Sequence, residues 1–141
     1  QIMSQNSIFR EYIFVLVGPK FEEFRIKKII ATKNKKIINM YGKFSLIEIY
    51  LFFKKCKLFI GNDSGLMHLA ALANTKTVGL FGPSNVNKYG PWGEKNLCIS
   101  GSKSPEQLMG HKNFDSKKDE CLMEDLKVDL VFKEILKFYK K

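Results

Sequence analysis

Short apolar runs that alternate with helix-like segments restrict the fold of this 141-residue sequence more than any other feature. Residues 12–18 read YIFVLVG, a continuous run typical of a strand buried on both faces of a parallel sheet. Further strands are predicted at 36–40, 57–61, 75–81 and 97–100, and helices at 21–32, 46–55, 64–73 and 125–140. This order predicts an α/β fold: a Rossmann-like parallel sheet with helices on both faces.

The segments outside this alternation carry weaker signals. Ser45 and Glu48 match the capping box that begins a helix. The apolar positions nearly encircle that helix, so we expect it to be well buried. Residues 84–96, which include Trp92, are turn-rich, and residues 101–120 are polar without a period, so both are predicted to be loops. We expect one domain, 1–141, with no internal boundary.

The excess of positive charge has two possible explanations. Lys and Arg total 24 against 14 Asp and Glu, which gives a net charge of +10. Such an excess indicates either a solvated lysine-rich surface or a negatively charged partner: nucleic acid, a phosphorylated ligand or an anionic membrane. The lysines are scattered and no recognition motif is present, so a nucleic-acid-binding protein is the least favoured class.

Several classes are disfavoured by composition. No apolar run approaches the roughly 20 residues of a membrane span. Three cysteines without a CxxC pair favour a reducing cytoplasm over a disulfide framework. Together with the two histidines they form no known zinc spacing, so no metal site is expected.

The turn after the third predicted strand is the strongest candidate for a binding site. Asn62-Asp63-Ser64-Gly65 opens a helix at the carboxyl edge of the sheet, where ligands of open α/β sheets bind. Unpaired N–H groups and the helix dipole favour an anion there, and Gly65 allows close approach to the backbone. These features predict a phosphate site. His68, on the helix face of Ser64, can donate to a phosphate or a sugar hydroxyl, and Asp63 can accept from hydroxyls.

A purely structural interpretation of the same residues is also open. Asp63 or Ser64 can serve only as an N-cap, which contributes about 1 kcal/mol. His68 can be an interior histidine with its hydrogen bonds satisfied. The residues alone do not decide between these alternatives.

A longer pattern around this turn resembles a known family. The string GNDSGLMHLAALANTKTVGLFGPSNVNKYGPWG, residues 61–93, resembles the C-terminal half of glycosyltransferase family 9, the lipopolysaccharide heptosyltransferases. The match rests on Asp-Ser-Gly-x-x-His-Leu-Ala-Ala, then Phe-Gly-Pro, then Tyr-Gly-Pro-Trp-Gly. Weaker similarities lie at residues 18–22, 42–46 and 121–123. One departure is Lys76, in Asn-Thr-Lys-Thr, where the family often has Gly-x-Pro; Asn74 can take the left-handed cap that Gly usually takes.

The resemblance implies the sugar-nucleotide-binding, C-terminal half of a GT-B glycosyltransferase that moves a heptose from ADP-heptose to the lipopolysaccharide core. It implies that Asp63 contacts sugar hydroxyls and that Ser64, with the N–H groups of Gly65 and Leu66, binds the diphosphate. His68 would lie against the sugar or the phosphate.

Two further residues are assigned by the weaker similarities. The resemblance implies that Glu22 accepts from the ribose hydroxyls and that Phe44 lies near the adenine. Local roles remain open for both: Glu22 as a favourable charge in a first helix turn and Phe44 as a hydrophobic staple.

The resemblance also sets expectations about the parent protein. It implies a transferase that needs no cofactor or metal and works in the cytoplasm on a lipid-linked saccharide. The N-terminal acceptor domain, with the catalytic base, is expected to be absent from this chain, which would then be inactive alone. Two roles are open for the last helix: packing on the domain with its lysines as a solvated face, which we favour, or peripheral contact with the inner face of the inner membrane. The alternative function is a non-catalytic nucleotide- or sugar-binding module.

Overall fold

The computed structural model describes residues 3, 6–110 and 122–140. The chain divides into two compact units, Gln1–Ile49 and Tyr50–Lys141. All strand pairs are parallel, as the alternating pattern predicts.

The first unit is built on a two-stranded sheet. Strand β1 (Phe14–Leu16) pairs with β2 (Ile37–Asn39). Between them lie a 3₁₀ helix, Lys20–Ile26, and the short helix α1 (Lys27–Ile30). The predicted helix at 21–32 is therefore present, but most of it is 3₁₀. Strand β1 is half-buried along its length rather than buried on both faces.

Helix α2 (Leu46–Phe53) begins in the first unit and ends in the second. Its capping box is confirmed: the Glu48 N–H donates to Ser45 Oγ at 3.3 Å, and the Ser45 N–H donates to Glu48 Oε2 at 2.8 Å. The expectation that this helix is well buried is wrong. Ile49 and Phe53, four residues apart on one helix face, are buried, whereas Leu46 and Ile47 are each 74 % exposed.

The second unit contains a three-stranded parallel sheet of order β3-β4-β5. Its first strand positions, Phe59, Thr77 and Asn96, are paired side by side. The central strand is almost fully buried. The elements in chain order are β3 (Phe59–Asn62), α3 (Gly65–Leu72), β4 (Thr77–Phe81), α4 (Val86–Tyr89), β5 (Asn96–Ser100), α5 (Pro105–Met109) and α6 (Val128–Lys140).

Two short helices lie where loops were predicted. Helix α4 is capped by Asn85, whose Oδ1 accepts from the Asn87 N–H at 2.9 Å. Helix α5 begins with a capping box formed by Ser104 and Gln107. Helices of four and five residues are too short to show an apolar period, which is why the pattern missed them. Residues 111–120 of the predicted loop lie outside the described residues.

Helix α3 packs directly onto β4. Met67 and Ala70 of the helix and Val78 of the strand are completely buried. A Cβ atom placed on Gly79 would lie 2.5 Å from Met67 Sδ, so the helix approaches the strand too closely for any larger residue there. This contact fixes the position of α3 relative to the strands.

The segment between α3 and β4 makes hydrogen bonds with the ends of helices α2 and α6. Asn74 has φ of 61°, which confirms the predicted left-handed cap. The Thr75 hydroxyl donates to the carbonyl of Phe53, at the end of α2, at 2.6 Å. Lys76 Nζ donates to the carbonyls of Phe138 and Tyr139, at the end of α6, at 3.5 and 3.3 Å. Helices α2 and α6 therefore both end near the start of β4.

Candidate functional site

The turn from β3 into α3 lies at the carboxyl edge of the sheet. The last residue of β3, Asn62, pairs with Leu80 of the central strand. The next N–H, that of Asp63, donates to the Leu80 carbonyl at 3.2 Å and extends the pairing by one residue. The backbone of Asp63 is therefore held by the sheet, and its side chain is presented at the sheet edge.

Ser64 occupies the N-cap position of α3 in an extended conformation, with φ −161° and ψ 164°. Its carbonyl accepts from the N–H groups of Met67 and His68 at 3.0 and 3.3 Å. Its hydroxyl, however, makes no capping hydrogen bond. The interpretation of Ser64 as a side-chain cap is therefore wrong, and the hydroxyl and the first N–H groups of the helix remain available to another partner.

Gly65 begins the helix beside open space. A Cβ atom placed on this glycine would meet no atom within 4 Å. Leu66, the next residue, is half-buried. A ligand can therefore reach the N–H groups at the start of α3 without displacing protein atoms.

His68 and Asp63 lie on the same side of this turn. His68 Nε2 is 4.0 Å from Asp63 Oδ1, which is too long for a hydrogen bond and suits an ion pair when the imidazole is protonated. The side chains are 44 % and 23 % exposed. The alternative of an interior histidine is therefore wrong, because His68 presents its ring to solvent next to the carboxylate.

Cys98 of β5 is electrostatically linked to this turn. Burial raises the pKa of its thiol, and the negative charge of Asp63 raises it further. The sequence pattern did not single out this residue, because its proximity to Asp63 depends on the pairing of three strands. The strand register places Cys98 opposite Gly79 of the central strand, and this pairing brings the thiol close enough to Asp63 to sense its charge.

The loop after β5 reaches the same sheet edge. Asp125 accepts from the Ser102 hydroxyl at 3.1 Å and from the Lys103 N–H at 3.0 Å. A Cβ atom on Gly101 would collide with the Asp125 carboxylate, so the loop wraps closely around that side chain. The hydrogen bond from the Lys103 N–H is the main reason why the pKa of Asp125 is lowered. Sequence reasoning missed this tie, which joins residues more than twenty positions apart.

Glu22 and Phe44 belong to the first unit. Glu22 lies half-buried in the first turn of the 3₁₀ helix, and its charge helps to raise the pKa of Tyr41, after burial of that phenol. Its neighbour Glu23 accepts from Asn39 Nδ2 at 2.6 Å. Phe44 is half-buried next to the capping box. The roles of Glu22 and Phe44 at a nucleotide stay predictions.

The part of the chain that the structure describes also bears on metal binding and on membrane spanning. Within it, no three or more His, Cys, Asp or Glu side chains are grouped so that they could hold a metal ion. None of its helices is both long and apolar enough to cross a membrane.

Together these residues form a site suited to an anion flanked by hydroxyl groups. The start of α3 offers backbone donors and the positive end of the helix dipole. Asp63 supplies an acceptor and His68 a donor on the adjoining side. Asp63, Ser64, Gly65, Leu66 and His68 are thus brought together in the second unit, as the sequence predicts.

The sequence matches the model of glycosyltransferase family 9 (heptosyltransferase) over residues 5–118. It is 32% identical over 112 residues to lipooligosaccharide heptosyltransferase 2 of Campylobacter jejuni, with 79% of this chain and 35% of the relative covered. It is 31% identical over 101 residues to lipopolysaccharide heptosyltransferase 2 of Escherichia coli K12, with 69% and 29% covered.

Solved structures give the same fold. The family 9 glycosyl transferase of Veillonella parvula superimposes with a TM-score of 0.76 at 23% identity, over 92% of this chain and 37% of that one. The ADP-heptose lps heptosyltransferase II of E. coli superimposes with a TM-score of 0.72 at 24% identity, over 99% and 40%.

The chain thus spans about a third of the length of the relatives it matches. The family model covers most of the chain, and the motif that suggested the family forms the exposed turn at the carboxyl edge. The chain belongs to glycosyltransferase family 9, the heptosyltransferase family.

Proposed function

We propose that this chain is the sugar-nucleotide-binding part of a transferase that moves a heptose from ADP-heptose to the lipopolysaccharide core. The observation that carries the proposal is the start of α3, where Ser64 does not cap the helix with its hydroxyl and the space beside Gly65 is open. A diphosphate would meet the N–H groups of Gly65 and Leu66 there. Relatives named as heptosyltransferases support the sugar class.

The neighbouring side chains fit the rest of a sugar nucleotide. Asp63 would accept from the sugar hydroxyls, and His68 would donate to the sugar or to a phosphate oxygen. In the same proposal, Glu22 accepts from the ribose hydroxyls and Phe44 lies near the adenine. These contacts hold the donor in one orientation, which lowers the entropic part of the barrier to transfer.

The chemical task of this site is to stabilise the leaving diphosphate. Negative charge builds on the diphosphate as the bond to the anomeric carbon breaks. The N–H groups of α3 are already oriented towards that charge, and His68 adds a donor. The proposal needs no metal or other cofactor, because these groups supply the positive potential.

The other half of the reaction would come from outside this chain. In the proposed GT-B enzyme, a second Rossmann-like domain receives the lipid-linked saccharide and carries the base that activates the acceptor hydroxyl. The enzyme would work in the cytoplasm, with peripheral contact at the inner membrane. This chain alone is expected to bind nucleotide weakly and to transfer no sugar; measurable transfer by it would contradict that expectation.

Thermal unfolding with ADP, GDP, UDP and a short DNA duplex tests the proposal. A ligand at ten times its dissociation constant adds about 1.4 kcal/mol to the free energy of unfolding. For a chain of this size that is a shift of roughly 3 to 6 °C. We expect the shift with ADP and its loss in His68→Ala, because His68 would donate to a phosphate oxygen. Asp63→Ala, which would lose contacts with sugar hydroxyls that ADP lacks, should weaken the shift with ADP-heptose.

The matched control is Lys57→Ala, at the opposite edge of the same sheet, which should keep the shift. A shift with UDP or GDP alone would change the donor and keep the class. No shift with any nucleotide, or an ADP shift that His68→Ala retains, would contradict the proposed site.

A further inference from the structure

The amino edge of the three-stranded sheet carries a lysine before every strand. Lys57 lies two residues before β3, and Lys76 and Lys95 directly precede β4 and β5. The Phe59 N–H donates to the Lys76 carbonyl at 2.8 Å, and the Thr77 N–H donates to the Lys95 carbonyl at 2.9 Å. The strand register therefore places Lys76 beside Lys95, and Lys57 one residue further from the sheet.

Two helix ends add further lysines to this edge. Helix α2 ends at the hydrogen bond between the Thr75 hydroxyl and the Phe53 carbonyl, and Lys54 and Lys55 follow it. Lys76 donates hydrogen bonds to carbonyls in the last turn of helix α6, and Lys140 is the last residue of that helix. The topology thus gathers lysines that are scattered in the sequence.

Few carboxylates lie near these lysines. Among the described residues of the second unit, Glu94 is the carboxylate next to this edge. Asp63 lies at the other edge, and Glu134 is ion-paired with Lys137 at 2.7 Å on α6. The other described carboxylates follow β5 or lie at the first turns of α5 and α6: Glu106, Glu124, Asp125 and Asp129. Counted over the described residues of the second unit, this edge has a net positive charge.

Trp92 is held at the same edge. Asn96, the first residue of β5, donates from Nδ2 to the carbonyls of Pro91, Trp92 and Gly93 at 3.3, 2.7 and 3.0 Å. The Trp92 side chain is nevertheless 89 % exposed. Five exposed lysines surround this tryptophan: Lys54, Lys55, Lys57, Lys95 and Lys140. We call these five lysines and Trp92 the basic edge.

We propose that the basic edge docks on an anionic lipid bilayer, with Trp92 in the headgroup region. Each lysine close to such a surface gains attraction from its negative potential. Tryptophan prefers this interface because its ring is apolar and its indole N–H is polar. The observation behind the proposal is the juxtaposition of clustered positive charge and one exposed, backbone-anchored indole.

The type of cation favours a lipid surface over nucleic acid. Both arginines of the chain, Arg10 and Arg25, lie in the first unit, so the basic edge consists of lysines. Recognition of individual phosphates and bases relies heavily on the guanidinium fork of arginine. Lysine ammonium groups act as point charges, which suits a diffuse negative surface.

Docking through this edge leaves the candidate site accessible. The five residues of β4 separate the two edges of the sheet by about 13 Å. The start of α3 would then face the aqueous side, open to a soluble anionic ligand. The docking inference rests on the membrane contact in the proposed function and not on the sugar nucleotide, so vesicle binding and nucleotide binding can fail independently.

The fluorescence of Trp92 tests the inference directly, because it is the only tryptophan in the chain. The chain is titrated with vesicles of phosphatidylcholine alone and with vesicles containing about 30 % phosphatidylglycerol. We expect a blue shift of the emission with the anionic vesicles only, reversed by high salt. Lipids with brominated chains should quench the emission if the indole enters the interface.

Two triple variants with the same change of charge locate the binding surface. Lys54→Gln, Lys57→Gln and Lys95→Gln together should weaken partitioning by about 100-fold, since each lysine contributes about fivefold. Lys88→Gln, Lys103→Gln and Lys127→Gln, which change exposed lysines away from the basic edge, should have little effect. Trp92→Ala, followed by vesicle sedimentation, should also weaken binding. Circular dichroism confirms that each variant is folded.

Three results would overturn the inference. The first is an unchanged Trp92 emission with anionic vesicles. The second is an equal loss of binding in the two triple variants, which would mean that only net charge matters. The third is a preference for a DNA duplex with a steep salt dependence, which would assign the edge to nucleic acid.

Discussion

The ammonium group of Lys76 lies 3.3 Å from the carbonyl oxygen of Tyr139 and 5.6 Å from the centroid of its ring. The same group is 5.5 Å from the ring of Phe138. It therefore contributes a positive charge and a donor to the end of α6, where the helix carbonyls are unpaired. This contact gives Lys76 a role at the position where the family often has proline.

Replacing Lys76 by Met should destabilise the second unit. The variant keeps most of the aliphatic chain but removes the charge and the hydrogen bonds, at an expected cost of about 1 kcal/mol. Urea unfolding followed by circular dichroism measures the loss. Lys57→Met, an exposed lysine of the same edge, is the control and should be nearly neutral. Equal stability of the two variants would show that the contact with α6 adds nothing.

Gly65→Ala should separate binding from stability. The added methyl group has room and alanine favours a helix, so the free energy of unfolding should stay the same or rise by up to about 1 kcal/mol. The methyl group would occupy the space proposed for the diphosphate, and we expect at least about tenfold weaker ADP binding by calorimetry.

Gly79→Ala is the control for Gly65→Ala, because it should lower stability while affecting ADP binding less. Its methyl group would meet Met67 Sδ at 2.5 Å, so it should cost about 1–3 kcal/mol of stability. Its ADP affinity should change less than that of Gly65→Ala as long as the chain is folded. Undiminished ADP binding by Gly65→Ala would argue against a ligand at the start of α3.

The alkylation rate of Cys98 should report the charge on Asp63. Burial and the carboxylate both raise the pKa of this thiol above its ordinary value of 9.0, so little thiolate is present at pH 7. We expect slow alkylation that accelerates as the pH rises towards that pKa. Asp63→Asn should lower the pKa and speed the reaction at pH 8, as measured by mass spectrometry of the peptide that contains Cys98.

Cys56 provides an internal reference for that experiment. Burial alone raises the pKa of its thiol, with no contribution from Asp63. Its rate should therefore not change in Asp63→Asn. A parallel acceleration at both cysteines would mean that the substitution loosens the unit.

Asp125 should make stability dependent on acid pH. The Lys103 N–H and the Ser102 hydroxyl lower the pKa of this carboxyl below its ordinary value of 3.8. Its stabilising contribution is therefore complete above about pH 5 and is lost as the pH falls through the lowered pKa. The melting temperature of Asp125→Asn should be below that of the parent chain at pH 7. The gap should close in strong acid, and a gap that is independent of pH would contradict this role.

The sequence predicted the candidate site because its signals are local. Asp63, Ser64, Gly65 and His68 lie within six consecutive residues, and a strand, a turn and a helix bring them together without help from distant residues. The parallel pairing of the strands also follows from a local pattern, repeated along the chain. A capping box predicted the start of α2 for the same reason.

The missed features depend on contacts between distant residues. The tie between Asp125 and Lys103 and the link between Lys76 and α6 require the folded chain. The exposure of Leu46 on α2 was mispredicted because an apolar residue indicates burial only when a neighbouring element covers it. Lysines of the basic edge looked scattered, since the sheet register that gathers them is not visible in one dimension.

The amide of Asn96 holds residues 91–93 through their carbonyl oxygens alone. Every amino acid has such a carbonyl, so this anchor does not depend on which side chain position 92 carries. Substitutions at Trp92 should therefore alter the chemistry displayed at that point and leave its location unchanged. The exposed side chain at position 92 can therefore change, in evolution or by mutagenesis, without any change in the residues that hold the turn.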